Sequence, residues 1–100
     1  MKKLFISQPM HGKTDTEIEN ERIKAIEDAK AVLKEDVEVI DSFFKGAPVD
    51  VRPLWFLGKS IELLSQADIV YFTKDWDKYR GCKIERICAI EYDLNIIEGC

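Results

Sequence analysis

The 100-residue sequence is poor in the residues that build metal centres and disulfide frameworks. It contains one histidine and three cysteines, and Cys82, Cys88 and Cys100 have no Cys-x-x-Cys spacing. An odd number of cysteines without that spacing argues against a disulfide framework and against a zinc site. We therefore expect three reduced thiols, no bound metal and no other cofactor.

Long apolar runs are also lacking. No run approaches the roughly 20 residues that a membrane helix needs. The apolar residues 4–6 near the start are followed at once by the polar Ser7 and Gln8. Such a short run is not typical of a signal peptide. These absences predict a cytoplasmic protein without membrane partners.

An excess of positive charge and glycine-rich phosphate motifs are absent too. Lys and Arg total 15 against 19 Asp and Glu, which gives a net charge of -4. This charge gives no electrostatic reason to expect a nucleic-acid polymer or an anionic membrane as partner, although backbone amides could still hold a small phosphate. Neither Gly-x-Gly-x-x-Gly nor Gly-x-x-x-x-Gly-Lys-Ser/Thr occurs, so dinucleotide binding and nucleoside-triphosphate hydrolysis are unsupported.

The residues that are present predict one α/β domain over residues 1–100. The chain is 46% apolar and 34% charged, which is ordinary for a globular protein. Strand patterns at 3–7, 37–41, 67–73 and 95–97 alternate with helical periodicity at 14–34, at 53–65 and from about residue 81. This alternation predicts a small parallel sheet with right-handed crossovers. Thr14 and Glu17 match a capping box at the start of the first helix.

Residues at helical spacing mark one side of each predicted helix. In the first helix the predicted buried residues are Ile18, Ala25, Ile26, Ala29, Val32 and Leu33. In the second helix the stripe is Leu54, Leu57, Ile61 and Leu64, and in the third Ile84, Ile87, Cys88 and Glu91 share one side. Trp55 and Phe56 lie outside the second stripe, which suggests a homo-oligomer contact.

Polar side chains gather in three loops that follow the predicted strands, at 7–13, 41–51 and 74–82. Because the carboxyl ends of parallel strands share one edge of the sheet, these loops are expected to converge. Their candidate site residues, with the helix start beyond the third loop, are Gln8, His11, Asp41, Asp75, Asp77, Tyr79, Arg80 and Glu85.

Some residues near this edge have two interpretations. Arg22 either pairs with Glu19 or reaches water, or it contacts a ligand. Phe43 and Phe44 are either core or a wall on which a flat ring stacks.

Glu85 is the candidate for covalent chemistry. A carboxylate in the first turn of a helix is expected to stay ionised in the field of the helix dipole, which suits a nucleophile or a stabiliser of positive charge. Cleavage of an N-glycosidic bond builds an oxocarbenium-like sugar, which requires such a carboxylate. The alternative is that Glu85 only caps its helix or forms a salt bridge.

Two stretches resemble the nucleoside 2-deoxyribosyltransferase-like proteins. They are Ser7-Gln8-Pro9-Met10-His11-Gly12 after the first strand, and residues 67–76 followed by Arg80-Gly81-Cys82-Lys83-Ile84-Glu85. Within that family the chain is most similar to a small uncharacterised branch of bacteria and their phages. The resemblance covers nearly the whole chain, and its most specific part is a glycine followed four residues later by a glutamate.

The resemblance implies a flavodoxin-like or Rossmann-like three-layer sandwich, assembled as a dimer or larger oligomer. It implies that Glu85 attacks the anomeric carbon of a nucleoside or nucleoside monophosphate, or supports departure of the base. Tyr79 departs from the family pattern, since related N-glycosidases carry a phosphate-binding serine there and the transferases an acid.

From the residues and the resemblance together we expect a deoxyribosyltransferase or N-glycosidase. Glu85 would be the nucleophile, with Asp75 or Asp77 acting on the base or a water. The expected substrate-binding residues are Ser7, Gln8, Pro9, Met10, His11, Trp76, Tyr79, Arg80 and Gly81. The alternative functions are a non-catalytic nucleotide sensor and a scaffold protein. Trp76 either stacks on a base or covers the core, and Cys82 is either a reactive thiol or a small buried residue.

Overall fold

Four parallel strands and three α-helices alternate along the chain. A computed structural model describes residues 1–43 and 50–99. The elements are β1 (Lys2–Ser7), α1 (Asp15–Leu33), β2 (Val37–Val39), α2 (Pro53–Leu64), β3 (Ile69–Phe72), α3 (Arg80–Glu91) and β4 (Asn95–Glu98), with a short 3-10 turn at Trp76–Lys78. The predicted α/β class and strand alternation are confirmed. Phe44 and most of the 41–51 loop lie outside the described residues.

The strand order is β2-β1-β3-β4, with every neighbouring pair parallel. From β1 the chain moves to β2 on one side, then crosses back to β3 on the other side. This reversal separates the loops that leave the carboxyl ends of β1 and β3. Crevices at such a reversal are where open α/β sheets bind ligands. Ser7 pairs with Phe72 in the β1–β3 register, at that edge of the sheet.

The helices lie on both faces of the sheet, as a flavodoxin-like sandwich requires. Leu4 and Ile6 of β1 point to one face, where they pack with Ala25 and Ala29 of α1. Phe5 points to the opposite face, in a cluster with Leu64 of α2 and Ala89 of α3. Because β1 and β3 are covered on both faces, their apolar residues are consecutive instead of alternating.

The first helix follows its sequence signals closely. The Thr14 hydroxyl accepts a hydrogen bond from the Glu17 backbone N–H, and Glu17 accepts one from the Thr14 N–H, which confirms the capping box. The helix ends at Leu33, and the C-cap residue Lys34 that follows has a left-handed φ of 57°. Ile18, Ala25 and Ala29 are buried, whereas Val32 is 62% exposed and was wrongly placed on the buried face.

The second helix buries less of its predicted stripe than expected, and the third helix turns its isoleucines away from the sheet. In α2 only Leu64 of the predicted stripe is fully buried, and Leu54 is 74% exposed. In α3 the buried residues are Cys82, Glu85 and Ala89, while Ile84, Ile87 and Ile90 face outward. Small side chains therefore face the sheet on this side, and the isoleucines form the outer surface of α3.

Within residues 1–43 and 50–99, no helix has both the length and the apolar character required to cross a membrane.

Candidate functional site

The centre of the candidate site is a hydrogen bond between Ser7 and Glu85. The Ser7 hydroxyl donates to Glu85 Oε1 over 2.6 Å, and the two residues are 1% and 6% exposed. Ser7 ends β1, and Glu85 lies in the second turn of α3. The hydrogen bond therefore crosses from β1 to the helix after β3, at the point where the sheet reverses its order.

The local sequence explains how Glu85 reaches this position. The β3 strand is followed by the 3-10 turn and then by α3, which begins at Arg80 after the extended residue Tyr79. Cys82, Glu85 and Ala89 recur three and four residues apart, so they lie on one side of α3 and face the sheet. Ala89 packs in the core, while Glu85, one turn closer to the amino end, reaches the edge of the sheet.

Burial governs the proton affinity of Glu85. Loss of solvation raises the pKa of Glu85 to about 7, against the opposing effect of hydrogen bonds from Ser7 and Ser60. We expected the helix dipole to keep this carboxylate ionised, and that expectation is wrong because Glu85 is deeper than the first turn and desolvation dominates. Near neutral pH both the charged and the neutral forms are populated, as acid, base and nucleophilic roles require.

A cavity of about 930 Å³ opens beside Glu85. It is bounded by the loop after β1, the start of α2 and the start of α3. Its lining includes Gln8, Pro9, Met10, His11, Arg52, Leu54, Phe56, Leu57, Ser60, Tyr79, Arg80, Gly81, Cys82, Ile84 and Glu85. Much of this wall is apolar, and its volume is sufficient for a ligand of nucleotide size.

The cavity gathers most of the residues predicted for the site. Ser7 reaches it through its hydrogen bond to Glu85. The residues Gln8, Pro9, Met10, His11, Tyr79, Arg80 and Gly81 line it directly. The strand, loop and helix order around β1 and β3 was therefore sufficient to bring these side chains together.

Four predicted site residues lie outside the described lining of the cavity. Asp41 is exposed and lines a second, smaller cavity together with Arg22. Asp75 adopts a left-handed φ of 68° and pairs with Lys78 over 3.2 Å. Asp77 is exposed on the same 3-10 turn. Trp76 lies against Phe72 and beneath the guanidinium of Arg86, whose central carbon is 4.5 Å from the Trp76 ring centre. The turn thus directs Asp75, Asp77 and Trp76 away from Glu85, and Trp76 covers the core, as one of its two interpretations expected.

Arg22 stabilises the loop that follows β1. It donates to Gln8 Oε1 over 3.1 Å, to the Ser42 hydroxyl over 3.2 Å and to the Ile40 carbonyl over 3.1 Å. Gln8 in turn donates to the Ile18 carbonyl. The Gln8 amide is therefore engaged by the protein itself, and Arg22 joins the ends of β1 and β2. From the sequence we expected Arg22 to pair with Glu19, to reach water or to contact a ligand, and we did not expect these hydrogen bonds to the two strand ends.

Cys82 is the small buried residue that one of its two interpretations expected. Burial raises the pKa of the Cys82 thiol to about 11, against a weaker opposing hydrogen bond with Ser7. A thiol with this pKa is overwhelmingly protonated near neutral pH and is a poor nucleophile.

Ser60 of α2 is a candidate site residue that the sequence did not indicate, and Arg52 is another. Ser60 lines the cavity, and its hydroxyl acts to lower the pKa of Glu85, against the larger effect of burial. A serine within a helix has no distinctive pattern, and its proximity to Glu85 arises only because α2 and α3 share one face of the sheet.

The described residues contain no group of three His, Cys, Asp or Glu side chains arranged to hold a metal ion. Comparisons of the sequence with protein-family models and with curated proteins, and of the structure with solved structures, found no match.

Proposed function

We propose that this chain cleaves or exchanges the N-glycosidic bond of a nucleoside or nucleoside monophosphate, with Glu85 as the nucleophile. The observation that carries the proposal is the Ser7–Glu85 hydrogen bond of 2.6 Å beside a cavity of about 930 Å³. The resemblance of the 7–12 and 80–85 segments to nucleoside 2-deoxyribosyltransferase-like proteins supports it.

The proposed chemistry follows from the charge of Glu85. The ionised carboxylate attacks the anomeric carbon as the C–N bond breaks, and the base leaves with the electron pair of that bond and takes up a proton. The resulting glycosyl ester is then attacked by water, which gives hydrolysis, or by a second base, which gives exchange. Each route regenerates the Glu85 carboxylate. A carboxylate without a paired cation is suited to stabilise the developing positive charge of the sugar.

Release of free base tests the proposal. A panel of ribonucleosides, deoxynucleosides and their 5′-monophosphates is assayed with and without a second base. We expect release with at least one substrate and a loss of about 1000-fold or more in Glu85→Gln, because the amide cannot act as the nucleophile. Asp28→Asn is the matched control, since it removes a hydroxyl-bonded carboxylate on the opposite face of the sheet. Equal release by the native chain and Glu85→Gln would refute the role of Glu85.

A second candidate is a nucleotide sensor that binds without catalysis. One observation favours this candidate. Asp75 and Asp77, which were expected to act on the base or a water, lie outside the described lining, and Glu85 is the one carboxylate within it. A sensor would be stabilised against heat by a nucleotide, because a ligand that binds only the folded state raises the melting temperature. If the protein is a sensor, the Glu85→Gln variant should bind the nucleotide as tightly as the native chain, and neither protein should release base.

The working form is proposed to be a homo-oligomer in the cytosol. An apolar ridge consisting of Leu54, Phe56, Ile84, Ile87 and Ile90 runs along the outer side of α2 and α3. Three of these residues, Leu54, Phe56 and Ile84, also line the cavity, so a second copy on the ridge would extend the cavity wall.

Sedimentation of the native chain and of two variants tests this assembly. Ile87→Glu places a charge on the ridge and is expected to convert an oligomer to monomers. Val32→Glu changes a similarly exposed apolar residue on α1 and is expected to leave the oligomer intact. A native chain that sediments as a monomer would exclude the assembly.

A further inference from the structure

The cavity has its negative charge in the interior and its positive charges at the protein surface. Glu85 is the acidic residue in the described lining, and it is buried at the base. Arg52, Arg80 and His11 line the same cavity, and all three residues are exposed. Among the described residues, none of these three side chains has an ion-pair partner.

This arrangement is not a consequence of general basicity. The chain has a net charge of -4, and half of its described lysines form ion pairs with carboxylates, as Lys13 does with Glu21. Two unpaired arginines beside one cavity are therefore a local concentration of positive charge. A guanidinium group binds phosphate through charge-assisted hydrogen bonds, and an arginine without an ion-pair partner is available to form them.

The backbone N–H groups at the cavity mouth carry partial positive charge, as the two arginines carry full positive charge. α2 begins after Arg52 and α3 begins after Tyr79, and neither helix has a side-chain cap hydrogen bond. The first N–H groups of a helix have no acceptor within the helix, and they attract anions. A Cβ added at Gly81 would meet no atom within 4 Å, so the backbone there is open to a ligand.

We propose that the mouth of the cavity binds a phosphate monoester through Arg52 and Arg80, so that the ligand is a nucleoside 5′-monophosphate and not a free nucleoside. This inference rests on the proposed function for the position of the sugar, which lies between the phosphate at the mouth and Glu85 at the base. It assigns phosphate binding to two arginines instead of the residue at position 79.

Binding to the Glu85→Gln variant tests the inference without any catalysis. Calorimetry compares a nucleoside 5′-monophosphate, the same nucleoside, a pentose 5-phosphate and inorganic phosphate. We expect the monophosphate to bind at least about tenfold more tightly than the nucleoside. We also expect that advantage to decrease as the salt concentration rises. Binding of inorganic phosphate as tightly as the monophosphate would reduce the site to a free-anion site and overturn the assignment of a nucleotide.

Arginine variants provide the second arm. In the Glu85→Gln background, Arg52→Gln and Arg80→Gln are each expected to weaken monophosphate binding about tenfold and nucleoside binding less than about twofold. Lys83→Gln removes one positive charge from an exposed site on α3 that is absent from the cavity lining, and it is expected to change neither affinity. Equal affinity for nucleoside and monophosphate, or equal losses for both ligands, would overturn the inference.

The two proposals fail in different ways. If phosphate-dependent binding is found but the native chain releases no base, the phosphate site stands and the catalytic proposal falls. If the native chain releases base equally well from nucleosides and monophosphates, and the arginine variants do not alter the ratio, catalysis stands and the phosphate site falls.

Discussion

Two carboxylates on opposite faces of the sheet accept hydrogen bonds of the same length from strand hydroxyl groups. On the α1 face the Tyr71 hydroxyl donates to Asp28 over 2.6 Å, and on the other face the Ser7 hydroxyl donates to Glu85 over 2.6 Å. Asp28 also pairs with Lys24 over 2.6 Å and is partly exposed. Glu85 is buried, and among the described residues its hydrogen-bond partner is the neutral Ser7 hydroxyl, with no cation paired to it.

The different surroundings shift the pKa values of the two carboxyl groups in opposite directions. Hydrogen bonds from Lys24 and then Tyr71 lower the pKa of Asp28, whereas burial raises the pKa of Glu85 to about 7. Asp28 therefore joins a helix to the sheet as a permanent anion. Glu85 is held in a state that opposes its ionisation, which costs folding free energy and is typical of a functional group. The comparison teaches that burial of Glu85 and the cation beside Asp28, and not the hydrogen-bond length, separate the two roles.

The largest expected effect is on the pH dependence of base release. Because the nucleophile must be ionised and the pKa of Glu85 is about 7, kcat/KM is expected to rise with pH until about that value. Near pH 5 roughly one Glu85 in a hundred is charged, so the rate is expected to fall about a hundredfold. Asp28→Asn is expected to keep the same profile. A rate that is constant between about pH 5 and 8 would contradict the assignment.

Removing the charge of each carboxylate should change the free energy of unfolding at neutral pH in opposite directions. The folded state binds the Glu85 proton more tightly than the unfolded state, so the native chain loses stability as pH rises from about 4.5 to about 7. Glu85→Gln removes this cost and is expected to be more stable than the native chain by up to about 3 kcal/mol near pH 8, and similar to it near pH 4.

Asp28→Asn is expected to behave in the opposite way. The lowered pKa of Asp28 contributes stability that is present above its unfolded value and is lost as pH falls. The variant should therefore be less stable than the native chain at neutral pH and approach it in acid. Denaturant unfolding at several pH values measures both differences, and a lower stability of Glu85→Gln near pH 8 would remove the basis of the comparison.

Removal of the Ser7 hydroxyl should alter the proton affinity of Glu85 as well as stability. The hydroxyl stabilises the ionised carboxylate, so Ser7→Ala is expected to move the rising limb of the pH profile to higher pH. The loss of one buried hydrogen bond is expected to cost about 1 kcal/mol of unfolding free energy. Ser65→Ala is the control, since Ser65 donates only to the Glu62 carbonyl on the surface. An unchanged midpoint in Ser7→Ala would show that this contact does not tune Glu85.

The smallest expected effect comes from two helical glycines. A Cβ at Gly58 or Gly81 would meet no atom within 4 Å, so alanine at either site is expected to increase stability by about 0.5–1 kcal/mol. Gly81 lines the cavity and Gly58 is absent from its described lining. Gly81→Ala is therefore expected to weaken ligand binding while Gly58→Ala does not, and calorimetry checks both. Equal affinity in the two variants would separate Gly81 from the ligand site.

The fold was predictable because its signals are local. Consecutive apolar residues defined β1 and β3, and the Thr14–Glu17 capping box marked the start of α1. The inward faces of α2 and α3 were less predictable, since apolar periodicity selects an apolar side and not the side that faces the sheet. On α3 the sheet packs against small residues such as Ala89, which leaves Ile87 60% exposed.

The candidate site was predictable only in part for a related reason. Ser7 ends β1 and Glu85 lies in the helix after the neighbouring strand β3, so topology alone brought them together. Asp75 and Asp77 were expected at the cavity because they follow β3 in sequence, but the left-handed conformation of Asp75 and the 3-10 turn direct them elsewhere. Ser60 depends on how α2 crosses the sheet, which no local pattern specifies.

A direct titration of Glu85 tests the central claim without knowledge of the substrate. Carbon-13 NMR of the side-chain carboxyl groups, with Glu85→Gln used to assign the Glu85 signal, measures both proton affinities in one sample. The account predicts a midpoint near pH 7 for Glu85 and a midpoint below the ordinary aspartate range for Asp28. A Glu85 midpoint at or below the usual glutamate value of about 4.3 would contradict it, because the carboxylate would then be an ordinary structural anion.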